Sequence, residues 1–411
     1  MINLKSIYTI LLTIYILMSM LVPLAGYNKF LFVILVFLYG GYLLFFKKEK
    51  KFECLKLTLV PVWIILIFSY GFIRGMYNNA EMDLARQFLL VNSLFCLIYP
   101  VNEFDIDMNR VMKIVAKFYI FFFAIYVIYA MNVKEFAVPN VINSIVHALD
   151  NGVTRFIGKT LEELGSGLIK HRSFFGGKGM QIYLGSTPFL LVLTDILFVD
   201  FLRNKRKVNL IYIVFALLLT FTTGSRTLML LVPASLGILV WLGMDRKKQI
   251  IAALMLAAAG IGALIYLLNF SNFFSLEERS NFVKVGHMTS YLKQLEFKKG
   301  LFGEGLATIY YSEGTNYELA HTEITLMDLF RYFGIPLGIS IWVMMLVPKV
   351  KKNFRDWKNW KIWELKEELA VLLLYFVFAQ TNPVLFNSYG LAVVLWYWAV
   401  LFEKNKKESN V

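Results

Sequence analysis

Residues 6–46 read SIYTILLTIYILMSMLVPLAG, then YNK, then FLFVILVFLYGGYLLFF. Two apolar runs, 6–26 and 30–46, are parted by three residues, and Lys29 is the one charge across the whole stretch. A bilayer's hydrocarbon core takes ~20 helical residues to cross, so each run is about long enough to span it. The first run lacks the small-residue cleavage signal of a leader peptide and is followed at once by the second. It is therefore expected to be retained as a helix with no soluble domain ahead of it.

Reading outward, further apolar runs fall at 56–73, 84–101, 111–131, 180–202, 208–223, 227–244, 249–270, 324–348, 368–384 and 386–402. About twelve spans result, which would take up about 240 residues at ~20 each. Composition agrees: of 411 residues 58% are apolar, 16% aromatic and 17% charged, with a mean hydropathy of +0.61. That balance excludes a soluble globular chain and a disordered one. The expected fold is an all-α polytopic membrane protein forming a single integral domain over 1–411.

The net charge of +14, from 42 Lys and Arg against 28 Asp and Glu, would suggest nucleic acid in a soluble protein. In a membrane protein its distribution decides the meaning, because Lys and Arg collect in the short loops that stay in the cytoplasm. With the N-terminus inside, the inner loops hold Lys47, Lys48, Lys50, Lys51 and Lys56, then Arg110 and Lys113, then Arg203 to Lys207, then Arg246 to Lys248, with more across 349–367 and in the tail. The short outer loops hold Lys29, Arg74 and Arg226. Both termini are expected in the cytoplasm, which places two long connections, 132–179 and 271–323, on the extracytoplasmic side. Loops this long in a compact fold are usually functional or disordered, and their mixture of aromatic, glycine and charged residues favours function.

The two cysteines, Cys54 and Cys96, suggest neither a disulfide framework nor a thiolate metal site. The histidines, His147, His171, His287 and His321, lie in or beside the long connections without the spacing of a helical zinc site. There is no P-loop and no G-x-S-x-G, so ATP-driven transport and serine hydrolysis lack their signatures. No metal and no cofactor are expected.

Chemistry-bearing residues gather at the outer ends of spans. Arg226 sits in Thr222-Thr223-Gly224-Ser225-Arg226, where a guanidinium offers five donors suited to a phosphate or snorkels to lipid headgroups. Arg279, in Glu277-Glu278-Arg279, is either a solvated loop charge or a second such group. Gly300-Leu301-Phe302-Gly303-Glu304-Gly305 is a stretch of sharp turns in which backbone could approach a ligand. His321, beside Thr322 and Glu323, can be tuned as a base or hold charge against a phosphate. Asp328 and Arg331, three apart on a helix, read as an internal ion pair, since charges in a span must pair or line a cavity. In Lys170-His171-Arg172-Ser173-Phe174-Phe175-Gly176-Gly177-Lys178, aromatic faces suit sugar rings and cations suit a pyrophosphate, or the segment is an interfacial belt.

Together these segments resemble the superfamily of bacterial O-antigen polymerases and O-antigen ligases. The carriers are Thr223-Gly224-Ser225-Arg226 opening a span, Arg279 followed by Gly300 to Gly305, His321 ahead of Gly334-Ile335-Pro336-Leu337-Gly338, and Arg172 to Gly176 in the first long loop. The resemblance implies a GT-C-like helical membrane fold and an inverting, metal-independent glycosyltransferase of the bacterial plasma membrane. Its substrates would be oligosaccharide repeat units on a polyprenyl diphosphate, destined for O-antigen, capsule or exopolysaccharide. Arg226 and Arg279 would bind the diphosphate, and His321 or Glu323 would serve as base. Arg172, with His171 and Lys178, would hold the second diphosphate or the incoming glycan, and Gly303 and Gly305 would line the substrate. The implied partners are the lipid bilayer and a chain-length regulator and flippase of the same pathway, with no nucleic acid. An O-antigen ligase acting on a lipid A core, or a flippase or other transporter, is the rival expectation.

Overall fold

A computed structural model of the chain describes residues 4–23, 27–46, 57–133, 148, 151–152, 154–155, 168–174, 177–253, 279–348, 365–382 and 384–409. The ninth expected span beyond residue 253, the basic stretches at 47–56 and 349–364, Cys54, His147 and most of 134–167 lie outside them. The chain is mostly helical, and among the described residues five helices are long and apolar enough to cross a membrane. These are α1 (Leu4–Leu21), α2 (Tyr27–Phe45), α3 (Val60–Tyr77), the continuous helical stretch Met82–Glu103, and α6 (Met108–Val133). Within Met82–Glu103, α4 (Met82–Asn92) tightens into a 3-10 turn at Ser93–Leu97 before α5 (Ile98–Glu103). Pro100 explains the tightening, for it has no N–H to give the carbonyl of Cys96 and its ring displaces that carbonyl.

Three further apolar helices are shorter: α8 (Lys207–Thr222), α9 (Arg226–Leu242) and α13 (Ile335–Leu346). Among them run α7 (Phe189–Asn204), α10 (Arg279–Gln294), α11 (Phe297–Phe302), α12 (Thr325–Phe333), α14 (Lys366–Ala379) and α15 (Gly390–Ser409). Two antiparallel hairpins complete the fold, β1 (Leu168–Phe174) with β2 (Gly177–Tyr183), and β3 (Tyr310–Ser312) with β4 (Tyr317–Leu319).

Two expected spans differ in outline. The run at 180–202 begins as strand β2, and its helix starts only at Phe189, after a turn in which Thr187 Oγ1 accepts from Leu184 N at 2.7 Å. The run at 324–348 is broken at Gly334 into α12 and α13. Gly334 has φ +80°, a left-handed value that glycine tolerates, and Pro336 falls in the first turn of α13, where a missing N–H costs no bond.

Polar contacts sort the helix ends onto two faces. On one, Lys5 lies 4.0 Å from Asp105, and a surface cleft is lined by Lys5, Asp105, Phe402 and Glu403. There too Trp396 Nε1 donates to Asn109 Oδ1 at 2.8 Å, Lys113 pairs with Asp200 at 2.8 Å, and Arg203 pairs with Glu368 at 2.6 Å and Glu367 at 2.8 Å. Lys366 reaches the carbonyl of Leu242, so α14 starts where α9 ends. On the opposite face Asn28 Nδ2 donates to Ser388 Oγ at 3.2 Å, Tyr389 OH to Gly185 O at 3.1 Å, and Thr325 Oγ1 to Ala379 O at 2.6 Å. The described N- and C-terminal segments thus share a face.

Between the faces the core is aromatic and aliphatic, with Phe95 stacked on Trp398 at 4.9 Å and both fully buried. One carboxyl lies deep in this core. Asp195 of α7 accepts from Ser235 Oγ of α9 at 2.6 Å through one carboxyl oxygen, while the other is buried without a hydrogen-bond partner among the described residues.

Candidate functional site

The Thr223 to Arg226 segment has a local cause. Thr223 caps the end of α8, Gly224 follows with φ +61°, and Ser225 caps the start of α9, its Oγ accepting from Leu228 N at 3.4 Å. A left-handed glycine after one helix and a serine ahead of the next turn the chain back within two residues. Arg226 is thereby fixed as the first residue of α9, half-buried, on the face opposite the termini. Because α14 runs antiparallel to α9, the end of α14 stands at the same level. It is held there to Thr325, which opens α12.

Just ahead of α12 lie His321 and Glu323. Residues 320–323 alternate: Ala320 and Thr322 are buried, while His321 and Glu323 are exposed. Glu323 pairs with Lys284 of α10 at 3.6 Å, so the loop is tied to the helix that Arg279 opens. Arg279 itself is exposed. The 168–183 hairpin ends on the same face, where Tyr389 OH donates to Gly185 O at 3.1 Å. Lys170, His171, Arg172 and Lys178 are strand residues, with Arg172 opposite Gly179 and His171 opposite Met180; their side chains lie outside the described residues.

His321 stands at the mouth of a cavity of about 220 Å³ between α3, α4, α12 and the turn ahead of α15. Phe68, Phe88, Leu306 and Leu329 form apolar walls, and Gln87, Asp328 and Asn387 supply polar atoms. An apolar recess with a few convergent polar groups is the usual form of a small-ligand site. Among the described residues no three His, Cys, Asp or Glu side chains cluster as a metal ion would need.

Gly303 and Gly305 sit elsewhere than on this cavity. Gly303 has φ +71° and Gly305 φ +115°, and a side chain on either would run into protein backbone: Tyr332 O and Gly334 N for the first, Gly75 and Arg74 for the second. Their segment lies between α12 and α3 and bonds to both. Glu304 N donates to Arg331 O at 2.7 Å, Gly305 N to Tyr332 O at 3.0 Å, and Leu306 N to Gly71 O at 2.7 Å. Arg74 Nε and Tyr70 OH of α3 donate to the carbonyls of Gly303 and Phe302 at 2.7 and 2.9 Å. The N–H groups of Glu304 and Gly305 therefore satisfy carbonyls that the break at Gly334 strips from α12, as non-helical backbone inside the fold demands. The backbone that approaches them closely is the protein's own.

Asp328 and Arg331 form the expected ion pair at 3.4 Å, with more besides. Arg331, 2% exposed, donates to the carbonyls of Thr308 and Ala320, and its guanidinium lies 4.3 Å from the Tyr310 ring centre and 4.8 Å from that of Tyr332. Tyr310, Tyr332 and Lys284 are participants that motif reading did not reveal. The first two come from a strand and a helix far apart in sequence, and no local spacing links them.

His287 of α10 is buried, its Nδ1 2.7 Å from Ser312 Oγ and 3.3 Å from Tyr310 OH. Burial, together with the charges of Arg331 and His321, holds its pKa below the ordinary histidine value. The native ring stays neutral where an unfolded one would take a proton, so stability is whole above about pH 6.5 and falls as the pH drops below that toward the depressed native value. Melting temperatures in detergent from pH 8 to pH 5 should show this loss, and His287→Gln should flatten it; equal slopes in the two proteins would contradict the assignment.

No family model, curated protein or solved structure matches this chain.

Proposed function

We propose that this chain is a glycosyltransferase of the bacterial plasma membrane. In this reading it joins oligosaccharide repeat units carried on a polyprenyl diphosphate into O-antigen, capsule or exopolysaccharide at the outer face of the plasma membrane. The observation that carries the reading is the sharing of one face. The Arg226 turn, the His321–Glu323 loop with its cavity, and the end of the 168–183 hairpin all lie opposite the face that holds both described termini. Lys and Arg crowd the termini's face at Arg203 to Lys207 and Arg246 to Lys248, which supports a cytoplasmic assignment for it. The segments that resemble the polymerase and ligase superfamily then face outward on a GT-C-like bundle of about twelve spans.

An acceptor sugar hydroxyl attacks the anomeric carbon of the donor, the glycosidic bond to the lipid diphosphate breaks, and configuration inverts. His321, or Glu323 once released from Lys284, takes the hydroxyl proton. Arg226 and Arg279 offset the charge that grows on the departing diphosphate. Arg172, with His171 and Lys178, holds the second lipid-linked glycan. The energy resides in the sugar–diphosphate bond, so the reaction uses no nucleotide sugar, and the resemblance implies that it uses no metal. A flippase and a chain-length regulator work beside it.

Arg226→Ala in the host should leave protein levels unchanged and cut transfer by about 10²–10³-fold, the usual loss when one charge-stabilising donor is removed. Gels of surface glycan should then show single repeat units in place of a ladder. An unaltered ladder would refute the role of Arg226. Long polymer accumulating on the lipid carrier would indicate a ligase instead, and single units trapped on the inner leaflet a flippase.

A further inference from the structure

We propose that Asp328, Arg331 and Tyr332 are positioning residues that clamp the peptide groups on both sides of His321 and so fix its imidazole at the mouth of the cavity. Before His321, the carbonyl of Ala320 accepts from Arg331 Nη2 and from Tyr332 OH, the latter at 2.6 Å. After it, the N–H of Thr322 donates to Asp328 Oδ2 at 2.7 Å. The other carboxylate oxygen of Asp328 faces Arg331 at 3.4 Å, and Arg331 Nη1 anchors the assembly to the carbonyl of Thr308. Both pinned residues are buried, while His321 between them is exposed.

Stability alone does not call for this arrangement. A buried ion pair is often no more stabilising than apolar side chains of the same volume, because desolvating two charges offsets their attraction. What apolar residues cannot supply is direction: two peptide groups flanking one exposed side chain are held by donors and an acceptor from a single helical turn of α12. Tyr310 and Tyr332 on the guanidinium restrict that turn's own freedom. A reactive group held within a fraction of an ångström gains rate through orientation, and a loose one loses it. The inference rests on the proposed role of His321 in transfer, but the clamp is measurable without it.

Tyr332→Phe removes one of the two donors to Ala320 and keeps the ring, so it is expected to fold; Asp328→Ala removes the acceptor of Thr322. Hydrogen–deuterium exchange on the full-length protein in detergent should show residues 319–324 exchanging about tenfold faster in each, as loss of one hydrogen bond predicts, with α6 unchanged. Transfer assayed on polyprenyl-diphosphate-linked repeat units should fall in kcat with KM nearly constant. Added to His321→Gln, Tyr332→Phe should produce no additional loss, since its effect passes through the imidazole. Unchanged exchange in Tyr332→Phe would overturn the clamp even if Asp328→Ala failed to fold. An additive loss in the double variant would overturn the link to His321. Should the wild type transfer no glycan, the functional reading fails, and the exchange result alone decides the clamp.

Discussion

Gly305→Ala is expected to destabilise the protein by about 2–5 kcal/mol, from a left-handed backbone forced on a residue with a Cβ and from an atom driven into packed backbone. Gly305 has φ +115°, and its missing side chain would point at the backbone of Arg74 and Gly75 in α3. Neither neighbour is the far end of a flexible side chain, so the strain has to be relieved by separating the glycine segment from α3. That would break the bond from Leu306 N to Gly71 O and the one from Arg74 Nε to Gly303 O, and loosen the cap on α12 that holds Arg331 and Tyr332. Gly237 in α9 is the control. Nothing lies within 4 Å of a Cβ added there, so Gly237→Ala should be neutral or gain a few tenths to ~1 kcal/mol from helix propensity. Thermal unfolding in detergent should separate the two variants by many degrees. Gly305→Ala melting with the wild type would show that the segment does not pack as described.

Arg331→Met should cost about 3–5 kcal/mol, because it leaves the buried carboxylate of Asp328 without its cation and removes the donors to Ala320 and Thr308. The companion variant Arg331→Met with Asp328→Leu removes both charges and should recover a large part of that loss. Thermal melts test the energetic claim. If the double variant were no more stable than the single one, the cost would lie in the lost carbonyl contacts and not in the orphaned charge.

These two expectations mark where the sequence was legible. The runs at 6–26, 30–46 and 111–131 became α1, α2 and α6 because length and apolarity alone define a crossing helix. The start of the run at 180–202 hides its strand, because Met180 and Ile182 count as apolar whether they sit on a strand or a helix. The break at Gly334 was equally hidden, since Gly334-Ile335-Pro336 is cheap at a helix junction but also short enough to be absorbed in a long apolar run.

The candidate site was legible in part. Arg226 stands out as a cation and His321 as a candidate base at the ends of spans, and the structure puts both on the face opposite the termini. Gly303 and Gly305 stand out in the sequence as turns where backbone could approach a ligand, and in the structure the backbone of α12 and α3 lies against them. Asp328 and Arg331 were visible as a pair three residues apart. Their hold on Ala320 and Thr322 was not, because it depends on a loop folding back over a helix turn.

The proposed reaction exchanges a sugar–diphosphate bond for a sugar–sugar bond through groups on the face opposite the termini. It is tested most directly by incubating the purified full-length protein in liposomes with a synthetic polyprenyl-diphosphate-linked repeat unit, a metal chelator and no nucleotide sugar. The account predicts a ladder of lipid-linked oligomers with one polyprenyl diphosphate released for each bond formed, absent with Arg226→Ala. Repeat units that stay single with the wild-type protein, or a ladder that survives in Arg226→Ala, would contradict it.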